Sequence, residues 1–363
     1  METWRRKILR LYLVLPEGHL RVFYYLSATF AIERSIHNLA RSLETMKRIV
    51  FLIAFGTITT SLLGQGCSDA GFCTMGAMKP DQPFNKKVAM KLRAIDLNFY
   101  RGTTTPLTPV IYVATADMSF SINSKNSMQI KLPYQTITGQ LANTSGMGDV
   151  SLCYTRNVYT SDQFDLNLSL GGKIRSNKSD KSSDEGFPLP MYYQTSLGTY
   201  DLISGLSLIN RKWLFATGIQ VPLNQNNNQF LWGAWKDSDE DLAYIEKYAR
   251  AKELERGIDV MLRVERNFRF SRLNFTMGLL PIYRITNDEI SLKNPSTGEF
   301  ERVKPDGTKG LAMSGIFTTG YSFNAQSGIK LLLGRKFIQR TENPDGLTRH
   351  FVSSFTYYYR FKG

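Results

Sequence analysis

Histidine and cysteine are scarce: this chain of 363 residues holds three of each. Two of the histidines, His19 and His37, precede an internal start candidate at Met46, and only His350 follows it. One imidazole with Cys67, Cys73 and Cys153 at uneven spacing makes no tetrahedral set, so neither a metal nor a cofactor is expected. A serine hydrolase needs a His base beside its nucleophile. His350 has Ser353 and Ser354 nearby but no surrounding motif, and catalysis is not expected. Long apolar runs are also missing. Beyond residue 66 nothing approaches about 18 consecutive apolar residues, which excludes a transmembrane helix there. The net charge of +14 raises nucleic acid as a partner, but residues 1–45 carry a net three of those charges and Lys47 and Arg48 two more. The remaining +9 is spread singly rather than as a basic patch interleaved with stacking aromatics, so nucleic acid is not an expected partner.

What is present begins with "LETMKRIVFLIAFGTITTSLLGQGCSDAG", residues 43–71. From Met46 it has a basic start, an apolar run from Ile49 to Phe55 with a weaker extension to Leu63, and small residues at Gly64 and Gly66. That order is a secretory signal peptide. A membrane anchor needs about 20 apolar residues, and Thr57, Thr59, Thr60 and Ser61 interrupt the run. Residues 1–45 show no sustained helical period or cap. The expectation is translation from Met46, with 1–45 an upstream extension assigned in error, 46–65 the signal peptide, 66–86 an N-terminal plug or leader, and 87–363 the folded body. Cys67 and Cys73 can close a small loop in an oxidising compartment. Acylation of Cys67, which follows Gly66, is the competing fate.

From about residue 87 the chain alternates apolar and polar residues in segments separated by Gly, Asn, Asp, Ser and Pro. In the last segment Phe351, Phe355, Tyr357, Tyr359 and Phe361 share one face, and His350, Ser354, Thr356 and Arg360 the other. Residues 258–270 set Ile258, Val260, Leu262, Val264, Phe268 and Phe270 against Asp259, Arg263, Glu265, Asn267 and Arg269, with Arg266 the exception on the apolar face. Twelve strands are predicted near 87–100, 109–122, 126–134, 148–158, 163–175, 194–209, 211–223, 257–270, 272–286, 310–323, 327–341 and 348–361. Their connections alternate between tight and long, as in an up-and-down antiparallel transmembrane β-barrel with short periplasmic turns and long outer loops. Closure removes the sheet edges that lipid could not satisfy. The expected class is therefore all-β, a barrel of about twelve strands in the outer membrane, with outer-membrane lipid and the barrel-assembly machinery as partners. The alternating aromatics Tyr357, Tyr359 and Phe361 form the expected assembly signal. Oligomeric state is left open.

Two stretches go beyond pattern: "GMGDVSLCYTRNVY" at 146–159 and "YQTSLGTYDLISGLSLINRKWLFATGIQVPL" at 193–223. They resemble the outer-membrane transporter-like barrels associated with phenol meta-cleavage operons, which are related in architecture to long-chain fatty-acid channels. Gly146, Gly148, Asp149, Leu197, Gly198, Tyr200 and Asp201 carry the resemblance. It implies an outer-membrane barrel and, more weakly, uptake of a hydrophobic solute. In the related channels the N-terminus enters and blocks the barrel, which is one reading of residues 66–86; a flexible periplasmic leader is the other.

Parity places Asp149 and Asp201 on the inward face, with Lys173, Arg175, Arg263, Arg269, Arg284, Lys330, Lys336 and Arg340 supplying positive charge there. Asp259 and Glu265 complete the candidate lumen lining. These charges either brace one another in a narrow lumen, the favoured reading, or line a path for anions and carboxylates. Residues 237–256 read as a polar helix in the longest outer loop, with acidic residues first, and as a candidate lid or a solvated loop helix. The expected function is a passive channel or transporter for small, hydrophobic or carboxylate-bearing solutes. A structural or adhesive barrel is the alternative, and a twelve-stranded lipid hydrolase the remote one. Mass spectrometry of the mature protein is expected to find its N-terminus between residues 65 and 67; peptides from 1–45 in the native host would contradict a start at Met46.

Overall fold

The computed structural model describes residues 74–79, 91–103, 107 and 109–361. The expected extension 1–45, the signal peptide 46–65, Cys67, Cys73, Lys362 and Gly363 lie outside the described residues. The strands run β1 (Lys91–Thr103), β2 (Val110–Ser121), β3 (Asn126–Thr138), β4 (Asn143–Met147), β5 (Val150–Thr160), β6 (Asp165–Ile174), β7 (Asp201–Ile209), β8 (Trp213–Pro222), β9 (Asp259–Phe270), β10 (Leu273–Arg284), β11 (Ile290–Lys293), β12 (Phe300–Val303), β13 (Gly310–Ser322), β14 (Ser327–Ile338) and β15 (Phe351–Arg360).

Every wall strand pairs antiparallel with its sequence neighbours, and β1 pairs with β15 from Ala94↔Arg360 to Thr103↔Phe351, so the sheet closes on itself. Strands β4 and β5 are two halves of one wall strand, since β3 pairs with β5 over Asn126–Lys131 and with β4 over Tyr134–Thr138. The hairpin β11–β12 is a separate two-stranded sheet. The wall is thus a closed, twelve-stranded, up-and-down β-barrel.

Period two sets the two faces. In β6, Asn167, Ser169 and Lys173 are at most 5% exposed, whereas Leu168, Leu170 and Ile174 are 47–56% exposed. Large apolar side chains thus point outward around the wall while polar ones are buried within, the reverse of a water-soluble protein. Aromatics gather outward at both ends. Tyr159, Trp213, Phe270, Tyr321, Tyr359 and Phe361 mark the short-turn end, and Tyr112, Tyr134, Tyr200, Tyr283 and Phe337 the long-loop end. Such paired girdles match the two interfaces of a bilayer. The outward exception Arg266 lies over the rings of Trp213 at 4.8 Å and Phe268 at 5.7 Å. At the girdle its charge can reach water while its stem covers the aromatics.

The short turns repeat one device. The side-chain oxygens of Asn123, Asn210 and Asn324 each accept two backbone N–H bonds from two and three residues on, at 2.7–2.9 Å. An Asx turn of this kind reverses the chain within a few residues. At the other end the long connections fold over the barrel. Phe230, Trp235, Ile245 and Tyr248 pack with Leu189 and Tyr193 onto Ile111 and Ile137 near the upper ends of β2 and β3.

Three sequence-based expectations are corrected. The strand expected at 194–209 starts at Asp201, because Gln194 to Thr199 turn inward and are buried in the loop cap. The long connection expected at 135–147 is a hairpin: β3 runs on to Thr138 and pairs with β4, leaving a four-residue link at 139–142. The helix expected across 237–256 is a single turn, Leu242–Ile245, capped by Asp241, whose side chain accepts the Ala243 N–H. Its propagation is stopped by tertiary demand. Ile245 and Tyr248 are needed in the loop core, and the backbone N–H groups of Ala251 and Glu253 bond to the carbonyls of Phe230 and Asn228 instead.

Outward Phe355 sits at mid-strand, paired with Phe99 and Leu331, whereas Tyr359 lies near the strand end. Phe355→Arg is expected to lower stability in lipid by about 2–4 kcal/mol and Tyr359→Arg by about 1 kcal/mol or less. Urea titration of the barrels in vesicles, followed by heat-modifiable migration, checks the difference; equal costs would contradict the depth assignment.

Candidate functional site: the barrel lumen

Residues 74–79 lie inside the barrel and divide its lumen. A 3-10 turn at Gly76–Met78 is buried between β5, β6, β7 and β8. Met75 and Met78 pack with Cys153, Ile203, Ala216, Met261, Leu280 and Ile316. Gly205 makes room for this, since a Cβ there would stand 3.0 Å from the Met78 sulfur. Polar contacts fix the segment: the Ala77 N–H donates to Ser169 Oγ, and Lys131 Nζ donates to Thr74 Oγ1 at 2.5 Å. Lys79 Nζ reaches Asp117 at 2.8 Å and Asp96 at 3.0 Å, on two neighbouring strands. Cys153 is a buried free thiol in this apolar layer.

The long-loop end is closed by an ion-pair cluster. The Arg284 guanidinium, 1% exposed, donates to both oxygens of Asp259 at 2.7–2.8 Å, both oxygens of Asp288 at 2.7–2.8 Å and Asp345 Oδ2 at 2.8 Å. Arg340 adds a 3.3 Å contact to Asp345 and donates to the Thr308 carbonyl. Asp288 in turn accepts the Gly257 N–H. One cation therefore ties two loops, those after β10 and after β14, to the start of β9. Burial works against the Asp345 carboxylate, but Arg284 and Arg340 outweigh it and hold its pKa well below the usual carboxylate range. A second pair, Arg256 and Asp201 at 2.5 Å, links the start of β7 to the loop before β9.

Between segment 74–79 and the loop cap lies a cavity of about 170 Å³. Thr74 is on its lower side, Gln194 to Leu197 and Gly346 to Leu347 on its upper side, and Lys131, Ser151 and Lys173 in its wall. Strand register puts these wall residues on one line: Asp96↔Asp117, Asp117↔Lys131, Lys131↔Ser151, Ser151↔Lys173 and Lys173↔Asp201 are direct partners on six consecutive wall strands. Wall strands of such barrels tilt by about 35–45°, so a line perpendicular to them climbs the lumen obliquely.

The sequence-derived candidates fall in three groups. Asp149, Asp201, Asp259, Arg263, Glu265 and Arg284 are buried in the lumen, with Arg263 and Glu265 paired at 2.5 Å. Lys330 and Lys336 are half-buried and inward, the first over the Tyr358 ring at 5.3 Å, the second donating to Thr348. Arg269 is exposed near the short-turn mouth, and Arg175, beyond the end of β6, lies over the outward Tyr200 ring at 5.1 Å. Ser354 donates to Asn98 at 2.8 Å. The two stretches that carried the family resemblance meet in space: Asp149 accepts from Ser196 Oγ at 2.5 Å and from the Leu197 N–H at 3.0 Å. Sequence reasoning missed Arg256, Asp288 and Asp345, which sit in irregular loops, and the inward apolar Ile203 and Met261 that receive the two methionines. An apolar Met261 between inward Asp259 and Arg263 was the available sign.

No family model matches the chain, and no curated protein matches it. Among solved structures, an outer membrane channel from Pseudomonas putida F1 is similar over 77% of this chain and 100% of its own, at 13% identity and a TM-score of 0.50. The NanC porin is similar over 76% of this chain and 100% of its own, at 11% identity and a TM-score of 0.39. The CymD monoaromatic hydrocarbon channel covers 83% of this chain and 95% of its own, at 9% identity and 0.37. At 13% identity the likeness to the Pseudomonas putida channel shows the barrel fold alone.

Replacing Arg284 by Met leaves Asp259, Asp288 and Asp345 buried without their main counter-charge, an expected cost of about 3–5 kcal/mol. It should appear as a lower urea midpoint and as new proteolytic cuts within 287–309. The pH sign follows from Asp345. Its folded pKa is depressed, so its stabilising contribution is present above the ordinary carboxylate range and is lost only as pH falls through the lower folded value. In Arg284→Met that depression is relieved, and acidification below about pH 4 should return part of the lost stability, because a neutral carboxyl needs no counter-charge.

Proposed function

We propose that this chain is exported by the signal peptide at 46–65 and resides in the outer membrane, with its long loops outside and its termini in the periplasm. There it passes small hydrophobic or carboxylate-bearing solutes through a lumen gated by residues 74–79. One observation carries the reading: the lumen is occupied by chain that is not part of the wall, with a cavity left between that chain and the loop cap. A barrel built only to stand in the membrane gains more from wall side chains that meet directly across a filled interior. The outward apolar band and its two aromatic girdles support the location.

The gate reading rests on how the segment is held. Apolar contact of two flexible methionines in a smooth bed and an ammonium shared by two carboxylates are reversible interactions. The competing reading, a braced structural barrel, draws on the Arg284 cluster, which ties the outer loops together and leaves the lower segment untouched.

Planar-bilayer recording separates the two. The full mature chain should conduct weakly, and deletion of residues 66–86, or the single change Lys79→Ala, should raise conductance several-fold in barrels that keep heat-modifiable migration. Silence in all three would leave the structural barrel as the better account.

A further inference from the structure

The outward face of the wall carries charge of one sign. Among the described residues, outward strand positions hold Arg101, Arg156, Arg266 and Arg335 and no Asp, Glu or Lys. Arg156 and Arg266 stand near the short-turn end on β5 and β9, far apart in the strand order, and Arg266 is already stacked on two rings. Arg101 and Arg335 lie toward the long-loop end on β1 and β14, with only β15 between them.

Register sets how these two stand to each other. Arg101 is the direct partner of Ser353, Ser353 is the partner of Leu333, and Arg335 is two residues further up β14. Lines perpendicular to the strands rise from β1 toward β7, as Asp96 at mid-strand and Asp201 at the long-loop end of β7 show, so they fall from β1 to β14. At a tilt of about 40°, two strand spacings lower the line by about 6 Å, and two residues along β14 regain about 5 Å. The arginine Cα atoms are therefore level in the bilayer and about 12 Å apart.

Neither guanidinium has an anionic partner among the described residues. Arg335 is exposed and makes no hydrogen bond or ion pair there. Arg101 meets Tyr112, donating from Nε to the hydroxyl at 3.4 Å and lying 5.9 Å from the ring centroid. Aromatics bracket the pair: Tyr112 is beside Arg101, and the Phe337 ring covers Gly315, the direct partner of Arg335. Rings of this girdle mark the depth at which lipid headgroups begin. Below the arginines the outward residues Phe99, Leu331 and Phe355 are apolar.

We propose that Arg101 and Arg335, with Ser353 on the strand between them, bind the phosphate of an anionic lipid in the leaflet at the long-loop end. The proposal rests on the membrane location given above and adds a partner to it. A cation facing lipid needs a counter-charge, and the wall supplies none. Two planar forks suit a phosphate monoester, whose oxygens each accept charge-assisted hydrogen bonds. The acyl chains then lie on the apolar surface beneath, contacts that free phosphate cannot make. A zwitterionic headgroup brings its own ammonium and gains less.

Dioleoyl phosphatidate and dioleoyl phosphatidylcholine, equal in their chains, are suitable probes, added to the full mature barrel in micelles and followed by native mass spectrometry. Phosphatidate should be retained at least about tenfold more tightly, and Arg101→Gln/Arg335→Gln should remove most of that preference while leaving phosphatidylcholine unchanged. Equal retention of the two lipids, or a preference unchanged in the double variant, would overturn the site. Displacement of phosphatidate by an equal concentration of inorganic phosphate would show a phosphate site rather than a lipid site, and would also overturn the proposal. If the double variant does not accumulate as a heat-modifiable barrel, Arg335→Gln alone carries the comparison, since no described residue depends on that side chain for a hydrogen bond. A barrel that inserts into phosphatidylcholine vesicles but shows no preference for phosphatidate loses the site and keeps the membrane location. One that inserts into neither kind of vesicle loses both.

Discussion

Everything in this molecule depends on the pairing of its first and last wall strands. Without the unbroken register from Ala94↔Arg360 to Thr103↔Phe351, β1 and β15 would each present a row of unpaired backbone groups next to an apolar outer face. Closure at twelve strands then sets the interior. The lumen is too narrow for free bulk water and too wide to be filled by small residues alone, so long charged side chains meet inside it and must be neutralised there. The buried pairs Arg263–Glu265, Arg256–Asp201 and Arg284 with its three carboxylates answer that requirement.

Most of the wall was readable from period two, because a strand with one face in lipid and the other in a polar lumen alternates strongly. Leu168, Leu170 and Ile174 against Asn167, Ser169 and Lys173 show the pattern undiluted, and the buried lumen charges followed from the same parity. Parity stops being informative where the strand stops. Arg175 was placed inward by extending β6 one residue too far, and it instead covers an outward tyrosine. Residues 194–200 alternate well enough to pass for strand, yet hydrogen bonds from Ser196 and Leu197 to Asp149 draw them inward.

The loops were less legible for a physical reason. Their structure is decided by partners far away in sequence: Asp345 and Asp288 acquire meaning only once Arg284 stands between them, and Ile245 and Tyr248 leave helical geometry to serve a core built from four other segments. Nothing local records such demands. The methionines of residues 74–79 are similar, since only the bed formed by Ile203, Ala216 and Met261, with space left by Gly205, tells where they belong.

Asp96 and Asp117 are direct partners on adjacent strands, and like charges opposite one another repel. Lys79 is bonded to both, and it belongs to the inserted segment rather than to the wall. Withdrawal of that segment would remove more than volume, because it would carry the counter-ion out with it. The emptied lumen would expose a pair of carboxylates where the filled one presents a triad with a single net negative charge. Opening and a strengthened preference for cations would then be a single event, with the strength of the local negative field reporting whether the segment is in place.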